Sequence, residues 1–247
     1  VTLNDSTISG NTSGYSGGGI YSRGETVANP LTLAGCTISD NTANSVGYVG
    51  GGGIYLYYNS AVLTNTTISG NTATATHGGG IGTLSDTSQT IDLVHCTIYS
   101  NTAGANGGGM FLEISFTVNV LNTIVAGNGA GGNGPDIHGT INSQDYNLIQ
   151  DTSDATINGT TTHNVTGEDP QLGPLADNGG DTWTHALLGG SPAIDAVPAA
   201  SCALPTDQRG EPRPVDGDLD GTADCDIGAY EFAPTHIYLP LVVRSYS

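Results

Sequence analysis

One phrase recurs five times along the first half of the chain, and this repetition constrains the fold more than any other feature. Each copy closes on an asparagine, at positions 11, 41, 71, 101 and 128, so the steps are 30, 30, 30 and 27 residues. A second phrase, GGGI or GGGM, follows each of the first four copies and ends at Ile20, Ile54, Ile81 and Met110. Self-similarity with a period of about 20 to 50 residues is typical of stacked repeat architectures.

The apolar positions inside the phrase predict short β-strands. Leu31 and Leu33 stand seven and five residues before Ile38, and the other copies keep these positions apolar. Positions two apart face the same side of a strand. A helical period of 3.6 is absent, and glycine triplets destabilise helices. The sequence therefore predicts an all-β parallel β-helix (β-solenoid) of six or seven coils, with about 30 residues and about three short strands in each coil.

The recurring asparagine has two interpretations. Its side-chain amides can form a ladder in an inner turn, each amide hydrogen-bonding to the next, or they can form a row of polar ligands for a sugar. The glycine triplets are expected to permit positive φ angles and close backbone approach where a loop returns to the sheet.

The charge balance excludes several classes of partner. The formal net charge is −19, with 23 acidic residues, four arginines (Arg23, Arg209, Arg213 and Arg244) and no lysine. Nucleic-acid binding needs a basic surface, so no nucleic-acid partner is expected. An anionic membrane or polysaccharide would be repelled. No apolar run approaches the about 20 residues that span a bilayer, so no transmembrane segment is predicted.

The four cysteines fall into two pairs. Cys36 and Cys96 occupy the same position of two repeats that lie two coils apart, about 10 Å at the usual strand spacing, which is too far for a disulfide. We expect both to be buried and reduced. Cys202 and Cys225 lie outside the repeats in a turn-rich region, where we predict a disulfide and therefore an oxidising, exported location.

The composition changes after residue 168, where prolines become frequent. The run GPLADNGGDTWTHALLGGSPAIDA, followed by DQRGEPRP and CDIGAYE, resembles the C-terminal part of bacterial exported proteins with a choice-of-anchor Q domain. Their bodies are right-handed parallel β-helices of the pectate-lyase-like superfamily, with TISGN and GGGI repeats similar to those of polymorphic outer-membrane proteins. The ending HIYLPLVVRS resembles the tail of exported proteins of filamentous Chloroflexi-type bacteria. The resemblance implies a right-handed helix and an extracellular or cell-surface location, and it implies no known catalytic activity.

Three regions follow from this reading: β-helix repeats at 1–168, a disulfide-pinned C-terminal cap with an acidic loop at 169–233, and an apolar strand or tail at 234–247. An uncovered coil would expose a whole strand edge. We therefore expect the cap to cover the last coil, using Trp183, Leu187, Leu188 and Ile194. Arg209 and Arg213 are expected to pair with neighbouring aspartates.

The acidic loop DGDLDGTADCD is the sharpest site signal. Asp216, Asp218 and Asp220 alternate before Gly221, as in calcium loops, where alternating carboxylates surround a hard cation. The carbonyl of Thr222 and the carboxylate of Asp224 complete the predicted ligand set. The twelfth position is Ile227 instead of the usual glutamate, so a solvated acidic turn is the alternative. A bound Ca²⁺ here would be structural.

No catalytic constellation is evident. A glycosidase needs two clustered carboxylates, but no acidic pair recurs within a coil. Arg23 is the one cation in the repeats, and the histidines are scattered. We predict that the chain is not an enzyme.

The two ends of the chain suggest self-assembly. Val1 and Leu3 begin a coil directly, which we expect to leave an open strand edge. An apolar strand lies near the other end, formed by Ile237, Tyr238, Leu239, Leu241, Val242 and Val243. Pairing of the two would join subunits head to tail into a filament or sheath. Alternatively, this strand packs on its own subunit or serves as an anchoring tail.

The predicted function is therefore that of an extracellular structural protein that polymerises. The alternative is a monomeric, adhesin-like or carbohydrate-binding surface module whose partners are surface glycans. A polysaccharide-active β-helix enzyme is the third possibility.

Overall fold

The structure is a computed structural model that describes residues 1–24, 29–47 and 50–234. Its larger part is a stack of coils, and each of the first five coils contributes four strands. The first coil contains β1 (Thr2–Asn4), β2 (Thr7–Ser9), β3 (Thr12–Ser13) and β4 (Ile20–Arg23). The second contains β5 (Leu31–Ala34), β6 (Thr37–Ser39), β7 (Thr42–Ala43) and β8 (Ile54–Tyr57). The third contains β9 (Ala61–Thr64), β10 (Thr67–Ser69), β11 (Thr72–Ala73) and β12 (Ile81–Leu84).

The stack continues with one more coil of the same kind and then changes. The fourth coil contains β13 (Gln89–Val94), β14 (Thr97–Tyr99), β15 (Thr102–Ala103) and β16 (Met110–Phe111). The fifth contains β17 (Phe116–Leu121), β18 (Ile124–Ala126), β19 (Gly129–Ala130) and the start of β20 (Ile137–Gln144). Two shortened coils follow, the first from the rest of β20 with β21 (Leu148–Ile149), the second from β22 (Ala155–Thr160) with β23 (Val165–Thr166). The prediction of six or seven coils corresponds to these five complete and two shortened coils.

Equivalent strands of successive coils pair in parallel and form long sheets. Sheet A contains β1, β5, β9, β13, β17, β20 and β22, and sheet B contains β2, β6, β10, β14, β18, β21 and β23. Sheet C contains β3, β7, β11, β15 and β19, and sheet D contains β4, β8, β12, β16 and the start of β20, which joins it to sheet A. The all-β parallel β-helix predicted from the repeats is confirmed.

Each coil has four strands and not the predicted three. The additional strand is the residue pair after the asparagine, such as Thr42–Ala43, which pairs with its copies in sheet C. Its alanine is buried and its threonine is not, so two residues suffice to place one side chain inside and one outside.

The core consists of columns of like residues. Ile38, Ile68 and Ile98 are paired in register in sheet B, and none of them is accessible to solvent. Leu33, Leu63 and Leu93 form an equivalent column in sheet A. Burying such a side chain contributes about 1.5–3 kcal/mol, and in-register stacking explains why each position keeps its chemical type.

The recurring asparagines form the predicted amide ladder inside the stack. The Nδ2 atom of Asn11 donates to Oδ1 of Asn41, and the same bond joins each later asparagine to the next as far as Asn128, at 2.9 Å in all four steps. Asn128 then donates to Oδ1 of Asp136 at 2.8 Å. Because most of these side chains are buried, they hold the turns together, and the alternative of a sugar-binding row is wrong.

The glycine phrase adopts the predicted geometry. Gly17 has a φ of 72°, in the left-handed region that favours glycine. A Cβ atom added to Gly18 would collide with the carbonyl oxygen of Gly52 in the next coil. The stacking of backbone on backbone therefore needs glycine at this position.

Residues 169–234, called the flanking segment below, lie along the side of the stack. The segment contains an antiparallel hairpin of β24 (Leu172–Ala176) and β25 (Thr184–Leu187), then a short 3-10 helix at Ala199–Ser201. The hydroxyl of Thr37 in β6 donates to the carbonyl of Trp183, and the hydroxyl of Thr67 in β10 donates to Oε1 of Gln208. The segment thus covers the outer face of sheet B from the second coil onward.

The residues predicted to cover the last coil are spread along the stack instead. Trp183 lies beside the second coil, Leu187 and Ile194 pack in a cluster that runs from Ile124 in the fifth coil to Val165 in the last, and Leu188 is exposed. The reason is the outer face of sheet B. The threonine and serine hydroxyls of this face, and apolar side chains such as Ile124, would face water if no other segment covered them. The small side chains of this face let the flanking segment approach closely.

The far end of the stack is uncovered in the described part of the chain. The strand β22 pairs with β20 on one side and with no described strand on the other. Ala155 and Ile157 line an open cavity of about 410 Å³ there. The described residues include no helix with the length and apolarity needed to cross a membrane.

Candidate functional site

A row of mostly aromatic side chains runs along the outer face of sheet D. The residue that ends each glycine phrase points inward, so the residue after it points outward. In successive coils this outward position is occupied by Tyr21, Tyr55, Gly82, Phe111 and His138, which pair in register. At the inter-strand spacing of about 4.8 Å, neighbouring rings are close enough to stack.

In the first two coils the row widens into an open groove of about 570 Å³, called the tyrosine groove below. Its lining consists of Ser13, Tyr15, Ser16, Gly17, Tyr21, Ser45, Tyr55 and Tyr57. The ring centroids of Tyr21 and Tyr55 are 5.4 Å apart, and those of Tyr55 and Tyr57 are 6.2 Å apart in a stacked arrangement. Tyr15 is 82% exposed and Tyr21 is 50% exposed, so the groove presents flat rings to solvent.

One phenol of the tyrosine groove, that of Tyr55, has a raised pKa. Burial, together with the nearby Tyr21 and Tyr57, raises the pKa of Tyr55, which therefore keeps its hydroxyl proton at neutral pH. The guanidinium of Arg23 lies 5.5 Å from the centre of the Tyr57 ring, a cation–π distance. Neutral phenols and serine hydroxyls can donate to and accept from hydroxyl-rich ligands.

Three carboxylates form a second candidate site in the flanking segment. One oxygen from each of Asp195, Asp216 and Asp218 lies within 4.8 Å of the others. The Oδ2 atom of Asp195 accepts hydrogen bonds from the amides of Gly217 and Asp218, at 2.9 and 2.7 Å. These bonds tie the acidic loop to a part of the chain about twenty residues earlier. We call this group the acidic centre.

The acidic centre contains carboxylate oxygens without partners. Oδ1 of Asp195 and Oδ1 of Asp216 are both buried and accept no hydrogen bond. Burial raises the pKa of Asp195, because desolvation disfavours the charged form of its carboxylate. Oxygen donors from aspartates are the ligands that Ca²⁺ prefers, so the donor set fits such a cation.

The structure brings together only part of the predicted calcium ligand set. Asp216 and Asp218 lie in the acidic centre, whereas Asp220 accepts the amide of Thr222 at 2.7 Å within its own turn. Asp224 lies in a bridge with Val215, and its carboxylate accepts the amide of Ala199. Asp220, Thr222 and Asp224 are therefore outside the group of three carboxylates, because the turn directs them elsewhere.

The cysteines behave as predicted. Cys202 and Cys225 form a disulfide with Cα atoms 5.9 Å apart, and Cys36 and Cys96 are buried and free. The disulfide closes the part of the flanking segment that carries the acidic loop.

The residues predicted to mediate self-assembly divide into two groups. Val1 is 79% exposed, whereas Leu3 points inward and packs against the main core of the stack. The predicted apolar strand lies outside the described residues; its members are Ile237, Tyr238, Leu239, Leu241, Val242 and Val243.

A pair that looks catalytic is buried where the flanking segment meets the stack. The hydroxyl of Ser69 lies 2.8 Å from Nε2 of His185, and Nδ1 of His185 lies 2.8 Å from the carbonyl oxygen of Gly173. The carbonyl can only accept, so Nδ1 carries the proton and Nε2 accepts from Ser69. Both side chains are buried, so the pair joins β10 to β25 and cannot reach a substrate. The prediction that the chain is not an enzyme stays a prediction.

A buried charged network fixes the middle of the flanking segment. The guanidinium of Arg213 contacts Glu231 at 3.1 Å and donates to the carbonyls of Asp226 and Gly228. It also lies 3.0 Å from Nδ1 of His95, in the corner after β13. Arg209 pairs with Asp207 at 2.8 Å. The predicted pairing with an aspartate is confirmed for Arg209, whereas Arg213 pairs with a glutamate.

Sequence reasoning missed both the tyrosine groove and the role of Asp195. The groove had a signal, since GGGIY occurs twice and places a tyrosine at the same outward position in two adjacent coils. Asp195 had none, because the fold of the flanking segment alone brings it to the acidic loop.

Comparison with known proteins supports the fold and says little about ligands. No curated protein and no solved structure matches the chain. The model of the family described as the right handed beta helix region matches residues 1–150, which include all five complete coils. The chain therefore belongs to the right-handed β-helix family.

Proposed function

We propose that the chain is an exported surface protein that binds neutral glycans in its tyrosine groove. The observation that carries this proposal is the groove itself, in which four tyrosines and three serine residues line one open surface. Aromatic rings offer flat apolar faces for the C–H faces of pyranose rings, and hydroxyls recognise sugar hydroxyls. The volume of about 570 Å³ lies within the range of ordinary ligand sites.

The charge of the protein selects the class of glycan. A net charge of −19 repels anionic polysaccharides. The aromatic row continues beyond the groove to Phe111 and His138, whose rings stack with centroids 5.2 Å apart. Phe111 is buried, however, so the exposed rings that a neutral polysaccharide would meet are those of Tyr15 and Tyr21.

Export is supported by the disulfide. The bond between Cys202 and Cys225 persists in oxidising compartments, and structural disulfides are rare in the cytosol. The resemblance to exported proteins with a choice-of-anchor Q domain points the same way.

The test is a glycan array probed with the whole chain, followed by calorimetry on the neutral glycans that bind. We expect Tyr21→Ala to weaken binding by about tenfold, since truncating an aromatic anchor commonly costs 1 kcal/mol or more. Tyr146→Ala is the matched control, because this partly buried tyrosine lies in the sixth coil and stacks on His163. The absence of any neutral ligand, or equal losses in the two variants, would refute the proposal.

We further propose that the acidic centre holds a structural Ca²⁺ ion. The two unpartnered oxygens of Asp195 and Asp216 support this, since burial without a partner is costly for a carboxylate. The ion would join the acidic loop to the earlier chain and would not act in chemistry.

A second candidate function is self-association, favoured by the uncovered strand β22. An unpaired strand edge is a template for pairing with another chain. Negative-stain microscopy and sedimentation at high protein concentration, with calcium present, test it. We expect Ile157→Lys, which places a charge in the open end cavity, to abolish filaments, whereas Ile114→Lys, at a fully exposed position, should leave them unchanged. Single rods from the wild-type chain under these conditions would contradict self-association.

A further inference from the structure

A separate cleft of about 240 Å³ lies on the outer face of sheet B, at the edge of the flanking segment. Trp183 forms one wall, the hydroxyl residues Thr7 and Ser9 of the first coil form another, and Asp40 and Asp181 stand at its border. We call it the tryptophan cleft. The stack residues that line it belong to the first two coils, as do those of the tyrosine groove, but the cleft lies on sheet B and the groove lies along sheet D.

The exposed indole in this cleft is held by a fixed backbone. The carbonyl of Trp183 accepts the hydroxyl of Thr37 at 2.5 Å and Nε2 of Gln208 at 3.2 Å, while Thr182 donates to the carbonyl of Gly35 at 2.8 Å. The side chain of Trp183 nevertheless remains 54% exposed. These bonds fix the backbone that carries the exposed indole, and a fixed backbone reduces the entropy lost when a ligand binds.

The charges of the tryptophan cleft have one sign. Both charged residues in its lining, Asp40 and Asp181, are exposed carboxylates. A cation above a tryptophan ring is attracted by the ring quadrupole, and tryptophan is the best aromatic partner for this contact. A carboxylate that accepts from an ammonium group adds a charge-assisted hydrogen bond. The lining thus suits an organic cation and repels an anion.

We propose that the tryptophan cleft binds the ammonium group of an amino sugar. The ring would stack on Trp183, the ammonium group would lie between Asp40 and Asp181, and the hydroxyls of Thr7 and Ser9 would bind the sugar hydroxyls. The proposal rests on the proposed function only in that the ligand is a carbohydrate. The site, the charge of the ligand and the residues involved are different.

The test uses the fact that Trp183 is the single tryptophan of the chain, so intrinsic tryptophan fluorescence reports this cleft alone. The whole chain is titrated with glucosamine oligomers, with the corresponding N-acetylglucosamine oligomers, and with choline. We expect a saturable fluorescence change with the glucosamine oligomers, and a much smaller one with the other two. Equal responses to the N-acetylated oligomers would refute recognition of the ammonium group. Equal responses to choline would refute recognition of the sugar.

Variants distinguish binding in the tryptophan cleft from general attraction of cations by the negative charge of the protein. Asp181→Asn should weaken binding of glucosamine oligomers by about tenfold, as expected for loss of one charge-assisted bond. Asp154→Asn, which removes an exposed carboxylate in the last coil, should leave it unchanged, and equal losses would contradict the proposal. Tyr21→Ala should also leave it unchanged. Because Tyr21→Ala affects neutral glycans only, failure of one proposal can be told from failure of the other.

Discussion

The coils and the flanking segment provide partners for their buried polar groups in different ways. In the coils a buried polar group is paired with its own copy, as where Asn71 accepts from Asn41 and donates to Asn101. In the flanking segment a buried polar group is paired with an unlike residue, as where Arg213 meets Glu231. Repetition lets the same contact recur from coil to coil, whereas each contact of the flanking segment is made once.

This difference predicts which substitutions destabilise the folded protein most. A change in one coil removes contacts with two neighbours of the same kind, and the remaining coils are untouched. A change at a unique charged contact leaves its partner buried without compensation, which is the more costly outcome. Far-UV circular dichroism reports mainly the strands, and the fluorescence of Trp183 reports the flanking segment, so the two regions can be followed separately.

The largest effect is expected for Arg213→Ala. Removing this buried cation leaves Glu231 uncompensated and should lower the free energy of unfolding by about 4 kcal/mol, measured by urea denaturation. Arg23→Ala is the control, because this exposed arginine lies over the face of Tyr57, and its loss should cost less than about 1 kcal/mol. Similar losses of unfolding free energy in the two variants would show that the buried charged network contributes no more to stability than an exposed arginine does.

The next largest loss of stability is expected for a substitution in the asparagine ladder. Asn71→Ala removes the acceptor of the backbone N–H of Asn41 and the donor to the carbonyl of Ile38, together with both ladder bonds of Asn71. We expect a loss of about 3 kcal/mol, at about 1–3 kcal/mol for each buried unsatisfied group. Asn119→Ala removes a similar amide ladder contact, to Asp92, on the outer face of sheet A, where water replaces it. If both variants lose equally in thermal and urea unfolding, burial of the ladder does not matter.

Calcium should stabilise the flanking segment more than the coils. At a hundredfold excess over its Kd, an ion that binds only the folded state adds about 2.7 kcal/mol. We expect Ca²⁺ to raise the midpoint of the Trp183 fluorescence transition in the wild type and to have no effect in Asp195→Asn. Asp220→Asn should keep the full effect. If Asp220→Asn abolished the calcium effect and Asp195→Asn kept it, the ligand set predicted from the loop would be supported instead. A wild-type midpoint that does not change with chelators would refute the site.

A smaller effect is expected from pH in the coils. Burial raises the pKa of Asp136 to about 6, above its value in the unfolded chain. The folded state therefore binds this proton more tightly, so stability from this group increases as the pH falls through 6 and is lost above it. Between pH 7 and 5 the wild type should gain about 1 kcal/mol relative to Asp136→Asn. Asp154→Asn, an exposed carboxylate nearby, should show no such difference from the wild type.

What could be predicted from the sequence follows the same division. The period placed Ile38, Ile68 and Ile98 in one column and Asn41 on the ladder, because an in-register stack turns repetition in sequence directly into contact in space. Even so, the two-residue strands of sheet C were missed, since the pattern of two residues is too short to stand out.

The flanking segment could be predicted only where a local motif decided the outcome. The loop motif identified Asp216 and Asp218, and turn-rich spacing identified Cys202 and Cys225. Asp195 was out of reach, because its position depends on the tertiary path of a segment without a repeat. The placement along the side had an unused signal, namely the outward threonines of sheet B, among them Thr37 and Thr67, which needed partners.

The amide ladder also has a direction. Every asparagine donates its side-chain N–H toward the later coil, and Asp136 ends the series because a carboxylate has no N–H to donate. A coil copied by gene duplication would fit anywhere between Asn11 and Asn128 without altering a single type of ladder contact. A copy placed after Asp136 would have to begin a new series. The number of coils can thus grow from within the ladder, while the ladder itself ends chemically at Asp136.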